Sequence, residues 1–256
     1  MIIKEITSRQ NPLVKQLYQL ARSHHRYQQT GEVWLEGEHL CQAYLSKVGV
    51  PHTVVCSQSA YANHTYAHLT QGSPLLYILD DQLFKHISTL ESMGSIGYLI
   101  SLPKSPSIQP LANSIVLDRL QDPGNVGSIL RCAAAFGFKQ ILALKGTCAL
   151  WGMKTLRAGM GAHFSLNLFE QLDLEDLKTL NVPLLATSSH TSFKLHQTHL
   201  PSPCAWIFGH EGQGVSNVLL EQSQLTVCIE QPGGEESLNA AMAASICMYE
   251  SVRQNN

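Results

Sequence analysis

The second half of the chain alternates short apolar runs with amphipathic stretches. The apolar runs are near-continuous and rich in branched residues, which is typical of buried strands. They predict strands at 114–120, 140–144, 165–168, 184–187, 204–209 and 225–229. The intervening stretches predict helices at 126–136, 153–162, 174–180, 217–222 and 237–252. Such an order predicts a parallel sheet covered by helices, in which ligands bind beyond the carboxyl ends of the strands.

The first half predicts a separate compact α/β domain. Its apolar runs predict strands at 33–35, 54–56, 75–79 and 96–101. Its helices are expected at 38–47, 61–69, 81–88 and in one long helix that Asn11 and Pro12 begin and Gly31 ends. The stretch 101–113 contains three prolines and no apolar period, which indicates a linker. The predicted division is therefore a domain at 1–100, a linker at 101–113 and a domain at 114–256.

The tail of the chain has the most unusual pattern. After the strand at 225–229, Pro232, Gly233 and Gly234 predict a sharp turn, and Glu235, Glu236 and Ser237 are expected to open a helix that Ser237 can cap. The residues from Ala240 to Val252 are almost wholly apolar and small. A helix that is apolar on every side is expected to be buried on every side, so we expect the tail to end inside the fold.

Composition fits a globular protein with a sizeable core. Hydrophobic residues make up 44% and charged residues 14%, which excludes a disordered chain, and the net charge of −2 provides no overall attraction to nucleic acid. The first thirty residues are nevertheless basic, since they contain only one acid, Glu5. Their lysines and arginines are Lys4, Arg9, Lys15, Arg22 and Arg26. Charge alone favours a solvated helix surface over a nucleic-acid contact.

Seven cysteines are scattered without a CxxC pair or any zinc spacing. We therefore expect reduced thiols in a cytoplasmic protein and no metal site. No signal segment begins the sequence, and no apolar run approaches the ~18 residues that span a bilayer.

Three strand-to-helix loops carry the candidate chemistry. The first, DPGNVGSILR at 122–131, places Asn125 at a helix entrance and Arg131 further along the helix. The second, FGHEGQGVS at 208–216, has the glycines for close backbone approach but neither GxGxxG nor the GK[ST] of a P-loop. The third is PGGEESLN at 232–239. Each alone also fits plain helix capping, but together they predict a small-molecule site with backbone amides as its main contacts.

The same loops resemble a known family. NVGSILRCAAAFG, FGHEGQGVS and SLNAAMAAS resemble, in order and spacing, the three motifs of the SpoU (TrmH-type) RNA ribose 2′-O-methyltransferases of the knotted SPOUT superfamily. KTLRAGMGAHF at 154–164 resembles the family's intermediate segment. Residues 1–100 are more weakly similar, through SRQNPLVKQL and WLEGEHL, to the ribosomal-protein-L30e-like RNA-binding domain that often precedes it.

The resemblance implies a trefoil knot at the C-terminus, an S-adenosylmethionine site built from the knot loops, and a homodimer whose active site draws on both chains. It assigns catalytic or site-shaping roles to Asn125, Arg131, Glu211, Ser237 and Asn239. It assigns cofactor contacts to Thr187, Gly209, Ile229, Pro232 and Leu238. Three departures from the family pattern stand out: His210 replaces Asn or Ser, Gly159 replaces Ser, and Ala240-Ala241 replace Val-Ser or Val-Ala.

The implied reaction is S-adenosylmethionine-dependent methyl transfer to a ribose 2′-hydroxyl of structured RNA, with rRNA favoured and tRNA the alternative. The resemblance assigns Arg131 to activating that hydroxyl. Because a guanidinium is effectively always protonated, we expect Arg131 to stabilise the developing alkoxide or to hold a phosphate that takes the proton. Asn125 and Glu211 are expected to hold Arg131 and the ribose, while Ser237 and Asn239 shape the cofactor loop.

With the resemblance, RNA phosphate contacts by Lys15, Arg22 and Arg26 become the favoured interpretation of the basic segment. Two rival functions remain open: a catalytically silent RNA-binding protein on the same fold, and a base-methylating member of the superfamily. A Rossmann oxidoreductase is disfavoured because GxGxxG is missing.

Overall fold

The computed structural model describes residues 1–90, 94–104, 106–189, 191–233 and 237–255. The chain forms two compact units. The first unit comprises Met1–Lys104 and Trp151–Phe164, and the second comprises Ser105–Leu150 and Ser165–Asn256. This division falls near the expected linker, but the segment at 151–164 packs with the first unit although it lies inside the sequence of the second.

The strands in chain order are β1 Ile2–Ile6, β2 Glu32–Glu36, β3 Thr53–Ser57, β4 Leu75–Leu79, β5 Ile96–Ser101, β6 Ser114–Asp118, β7 Gln140–Leu144, β8 Asn167–Leu172, β9 Leu184–Thr187, β10 Ala205–Gly209 and β11 Leu225–Val227. The α-helices are α1 Pro12–Arg22, α2 Arg26–Thr30, α3 Glu38–Lys47, α4 Gln58–Ala62, α5 Ala67–Thr70, α6 Asp81–Ile87, α7 Pro123–Ala135, α8 Met153–Gly159, α9 Asn217–Gln222 and α10 Ala240–Asn255. Short 3-10 helices lie at Ala162–Ser165, Leu174–Thr179 and Leu195–Gln197.

The first unit is built on a mixed sheet with the strand order β1-β4-β3-β5-β2. β1, β4 and β3 are parallel, whereas β5 runs antiparallel to both of its neighbours. Helix α1 covers this sheet through Val14, Leu17, Leu20 and Ala21. Strand β1 was not predicted, because its exposed edge position and its Lys4-Glu5 pair leave no continuous apolar run.

Two helix predictions in the first unit are wrong in detail. The long helix expected to reach Gly31 ends at Arg22, where Ser23 turns to an extended backbone, and the short α2 follows. Gly31 ends α2 instead, in a left-handed conformation. The single helix expected at 61–69 is two short ones, α4 and α5.

The second unit confirms the predicted parallel sheet. All six strands are parallel, in the order β11-β9-β10-β6-β7-β8. Its central strands β6, β7 and β10 are almost completely buried, which explains their continuous apolar sequences. Because β9, β10 and β6 are neighbours, the loops at their carboxyl ends lie side by side.

The remaining differences in this unit are small. The strand expected at 165–168 lies at β8, and the helix expected at 174–180 is a 3-10 helix. Apart from Ser105, which lies outside the described residues, the expected linker carries neither helix nor strand from 102 to 113. Among the described residues, no helix is both long and apolar enough to cross a membrane.

Helix α10 corrects the expectation of burial on every side. Ala244, Cys247 and Met248 are buried, and Cys132 Sγ on α7 lies 3.0 Å from Ser245 Oγ. The opposite side is open: Met242, Ile246 and Tyr249 are 62%, 40% and 56% exposed. These three residues, at i, i+4 and i+7, form one apolar stripe, here called the α10 stripe.

Candidate active site

Three side chains from the three predicted loops form one hydrogen-bond network. Asn125 Nδ2, in the first turn of α7, donates to Glu211 Oε1 at 3.1 Å in the loop after β10. Asn239 Nδ2, at the start of α10, donates to Asn125 Oδ1 at 2.9 Å. Asn125 therefore joins two loops that are far apart in sequence, and all three residues were predicted as site residues.

Glu211 acts as a charged acceptor at one end of this network. Besides Asn125, it accepts from the backbone N–H groups of Asp122, at 3.0 Å, and Gln121, at 3.1 Å. Burial alone would raise the pKa of Glu211, but the hydrogen bonds from Asn125 and the two backbone groups outweigh it and lower the pKa. The carboxylate thus stays ionised and fixes the loop after β6 through these hydrogen bonds.

Asn239 is the N-cap of α10. Its Oδ1 accepts from the backbone N–H groups of Ala241 at 2.9 Å and Met242 at 3.3 Å. The expected cap, Ser237, instead lines a cavity beside the network. Gly234, Glu235 and Glu236, which were expected to turn the chain and open the helix, lie outside the described residues.

Arg131 stands apart from the network. It lies exposed on α7, and within the described part of the chain it makes no hydrogen bond or ion pair. Asn125 therefore binds Glu211 and Asn239, and across the residues that the structure describes no hydrogen bond links Asn125 or Glu211 to Arg131, which they were expected to hold.

The cavity beside the network has a volume of about 480 Å³ and lies in the second unit. Four of the five residues predicted to contact a cofactor line it: Thr187, Gly209, Ile229 and Leu238. The fifth, Pro232, lines a different cavity together with Ile246 and Tyr249. Ser188 and Gln231 also line the main cavity, and they could not be predicted because neither stands in a recognisable motif.

The floor of the cavity requires a glycine at 209. A Cβ on Gly209 would lie 2.1 Å from the backbone carbon of Gly214 and 2.2 Å from the nitrogen of Val215. His210, one of the departures from the family pattern, supports the same loop: its Nδ1 accepts from the Gly212 N–H at 3.0 Å, and its carbonyl accepts from the Gly214 N–H at 2.7 Å. The loop is thus tightly folded on itself, with backbone groups along the cavity.

An ion pair at the end of β6, between its last residue Asp118 and the following Arg119, was not predicted from the sequence. Asp118 is 2% exposed, and Arg119 Nε donates to its Oδ1 at 2.8 Å. Asp118 Oδ2 also accepts from the Ser216 N–H at 2.7 Å, at the end of the loop that lines the cavity. A strand that ends in Asp-Arg has no characteristic spacing, so only the structure reveals this support.

The three predicted RNA contacts lie in the first unit and differ in their surroundings. Lys15 is exposed on α1. Arg22 donates to the carbonyls of Ile87, at 2.9 Å, and His86, at 3.0 Å, at the end of α6, and it stacks 3.8 Å from the Tyr18 ring centroid. Arg26 donates to Gln29 Oε1 at 2.7 Å. Arg22 and Arg26 therefore have partners within the first unit, whereas Lys15 is exposed on the surface of α1.

The departure at Gly159 has a steric cause. A Cβ at this position would lie 2.5 Å from Cε1 of His163, which is buried in the same unit. A serine would therefore displace the imidazole.

The fold and the cavity define an α/β protein that binds a small molecule in loops beyond the carboxyl ends of a parallel sheet. Within the described residues, no group of three or more metal-ligating side chains comes together. A model of the SpoU rRNA Methylase family matches residues 112–249. The chain therefore belongs to the SpoU rRNA methylase family.

Individual relatives agree over nearly the whole chain. An uncharacterized tRNA/rRNA methyltransferase of Synechocystis sp. is 36% identical over 98% of this chain and 94% of its own. The 23S rRNA (guanosine(2553)-2′-O)-methyltransferase RlmP of Bacillus subtilis is 29% identical over 96% of this chain and 98% of its own. The crystal structure of an AdoMet-bound rRNA methyltransferase from Sinorhizobium meliloti has a TM-score of 0.83 at 25% identity and covers 98% of both chains.

Proposed function

We propose that this protein transfers a methyl group from S-adenosylmethionine to a ribose 2′-hydroxyl of rRNA. The observation that carries the proposal is the Glu211–Asn125–Asn239 network, which joins all three family motifs beside one cavity. The relatives named above as rRNA methyltransferases support both the reaction and the class of RNA.

The cavity suits S-adenosylmethionine in size and chemistry. Its volume falls in the range of roughly 300–1,000 Å³ typical of small-molecule sites. Ile229 and Leu238 would offer apolar contact to the cofactor, while Gly209 would let the backbone approach it closely. The buried Oε1 of Gln231, on the cavity wall, has no hydrogen-bond partner among the described residues and can accept from a bound polar group.

When bound, the cofactor supplies a methyl group activated by a sulfonium. The chain's own contribution is to orient the acceptor ribose and to stabilise charge that develops on its 2′-oxygen. Arg131 is the residue we assign to that charge, because its guanidinium has no partner within the described chain and is free to bind RNA. Asn125, Glu211 and Asn239 act through the shape of the loops, and Ser237 lies at the cavity wall.

The α10 stripe supports a homodimer. Met242, Ile246 and Tyr249 present a continuous apolar surface, and the Tyr249 ring lies 6.1 Å from that of Phe136 at the end of α7. Exposed apolar stripes of this kind mark interaction surfaces. The proposal that the active site is shared is supported by helix α7, which carries Arg131 and packs against α10 beside the stripe. We therefore propose that the Arg131 of one subunit acts at the cavity of the other subunit. This would account for the lack of a hydrogen bond or ion pair to Arg131 within the described residues of its own chain.

The first unit is proposed to bind the RNA as an L30e-like domain, with Lys15, Arg22 and Arg26 contacting phosphates. We place the protein in the cytoplasm, since none of its seven cysteines, all of which the structure describes, forms a disulfide. The tRNA alternative keeps the same site and changes only the RNA.

The test uses purified protein with methyl-labelled S-adenosylmethionine and two unmodified substrates, rRNA and bulk tRNA. We expect label in rRNA, and alkaline hydrolysis should leave the labelled position uncut, because a 2′-O-methyl blocks cleavage there. Label in tRNA alone would support the tRNA alternative. Labelled rRNA that hydrolyses normally would show base methylation and contradict the proposal. Binding of RNA without any methyl transfer would identify a silent family member.

A further inference from the structure

Arg119 adopts a backbone conformation that residues with a side chain rarely take. It follows β6 directly and has a φ of +60°, in the left-handed region that favours glycine. Strained residues of this kind persist where the surrounding structure holds them, and they cluster at functional sites. Here the strained residue lies at the carboxyl edge of the sheet, where the cavity is.

Every polar part of Arg119 is engaged. Its Nε and Nη2 donate to the two carboxylate oxygens of Asp118, at 2.8 and 3.3 Å, and its Nη1 donates to Gln213 Oε1 at 3.1 Å. Its backbone N–H donates to Thr147 Oγ1 at 3.1 Å. Its stem passes over Gly146, where an added Cβ would lie 3.2 Å from Arg119 Cγ. The left-handed turn therefore aims the guanidinium at two fixed acceptors.

Asp118 accepts hydrogen bonds both from Arg119 and from the loop after β10. It is nearly fully buried, and its Oδ2 accepts from the Ser216 N–H at 2.7 Å. Burial would raise the pKa of Asp118, but the hydrogen bonds from Arg119 and Ser216 lower it, so the carboxylate is ionised and holds both donors. Asp118 and Arg119 together therefore grip the segment 213–216 at its two ends, Gln213 and Ser216.

This segment is part of the cavity. Gln213, Gly214 and Val215 line it, and Gly214 and Val215 pack so closely on Gly209 that no side chain fits between them. We infer that Arg119 is a positioning residue: with Asp118 it clamps segment 213–216 onto Gly209, so that the floor of the cofactor site is formed before the cofactor binds. The inference rests on the proposed S-adenosylmethionine site. A preformed floor saves the entropy of ordering the loop on binding.

The test is Arg119→Gly, which relieves the backbone strain and removes the guanidinium at the same time. The relief of backbone strain offsets part of the cost of leaving the buried Asp118 carboxylate without its guanidinium, so Tm should change little. The clamp predicts faster hydrogen exchange at the amides of 214–216, whereas a merely structural role predicts no selective change there. By calorimetry, the Kd for S-adenosylmethionine should rise about tenfold, the loss expected for charge-assisted hydrogen bonds, while RNA affinity stays the same.

Two further variants separate the contacts. Arg119→Lys keeps a charge beside Asp118 but loses the fork that also reaches Gln213, so it should fall between wild type and Arg119→Gly. Gln213→Leu removes the side-chain oxygen that accepts from Arg119 Nη1. The double variant Arg119→Gly/Gln213→Leu should exchange little faster at 214–216 than Arg119→Gly alone, because both substitutions break the same contact.

Unchanged exchange at 214–216 in Arg119→Gly would overturn the clamp, whatever the protein binds. Faster exchange with an unchanged Kd would also overturn it, because the floor would then not depend on the clamp. If the wild-type protein does not bind S-adenosylmethionine, the proposed function is contradicted. The hydrogen-exchange rates at 214–216 would still test independently whether Arg119 holds this segment.

Discussion

Arg131 allows its proposed role to be tested without disturbing the fold. Because it is exposed and has no partner within the described chain, Arg131→Ala should leave Tm and S-adenosylmethionine affinity near wild type. Methyl transfer should collapse by about 10²-fold or more, the usual cost of removing a group that stabilises developing charge. Single-turnover assays and calorimetry measure the two effects separately.

Arg131→Lys is the matched control, because it keeps the charge but loses the planar fork, and it should recover only part of the activity. Full activity in Arg131→Ala would refute the assignment.

Polar residues in the loops were the most predictable part of the site. Asn125, Glu211 and Asn239 were predicted from their motifs, and the structure places them in one network. Asp118 and Arg119 were not predicted, because their importance lies in backbone conformation and burial, which no spacing encodes. Asn239 caps α10 where Ser237 was the expected cap, because the helix begins at Ala240 rather than at 237.

At the scale of elements, Asn239 connects the start of α10 to the loop after β6. Asn239→Ala removes both the cap and the link to Asn125, and should destabilise the protein by about 1 kcal/mol. Asn239→Asp keeps a capping oxygen but replaces the donor that faces Asn125 Oδ1. The aspartate variant should therefore keep its stability in urea unfolding yet bind S-adenosylmethionine more weakly than wild type. Equal losses of stability in both variants would count against the separate roles.

The other end of α10 provides a pH-dependent contribution to stability. Glu250 accepts from Arg253 Nε and Nη2, both at 2.7 Å, and from Gln254 at 2.8 Å. The hydrogen bonds from Arg253, more than any other cause, lower the pKa of Glu250 to about 2. A lowered pKa means that this stabilisation is complete above the unfolded pKa of 4.5 and is lost as the pH falls toward about 2.

Glu250→Gln should accordingly lower Tm at pH 7 by about 2–4 °C, the shift that losing one partly exposed ion pair gives in a domain of this size. The difference from wild type should shrink below pH ~4.5 and vanish near pH 2. Thermal unfolding across this range measures it, and a difference that is constant with pH would contradict the account.

The hydrophobic periodicity located nearly all the helices and strands of the second unit, but it did not show which of their faces pack against the rest of the chain. The continuous apolar runs identified the parallel strands because those strands are buried on both faces. The same reasoning made α10 wholly buried, whereas Met242, Ile246 and Tyr249 are exposed. An exposed apolar stripe has the same sequence pattern as one that packs on the core of its own chain, so periodicity does not distinguish the two.

At the scale of the whole molecule, the α10 stripe predicts the oligomeric state. Ile246→Glu places a charge in the middle of the proposed interface and should convert a dimer to a monomer in light scattering. Methyl transfer should fall with it, because Arg131 would no longer reach the partner's cavity. Leu111→Glu is the control, since Leu111 is equally apolar and 65% exposed but lies outside α10. A wild type that is monomeric and fully active would contradict the shared site.

Two whole-molecule features stay predictions. The trefoil knot implied by the resemblance and the L30e-like character of the first unit both follow from family likeness rather than from the periodicity of the sequence. The mixed sheet of the first unit could not have been read from the sequence, because β1 is an exposed edge strand and β5 reverses direction.

The most direct test of the central claim is nucleoside mass spectrometry of rRNA after methylation by the purified protein. The rRNA is taken from cells that lack the gene, and it is digested completely to nucleosides. The account predicts one new 2′-O-methylated nucleoside that depends on S-adenosylmethionine and disappears with Arg131→Ala. A methyl group found on a base, or no new modified nucleoside in the presence of bound cofactor, would contradict it.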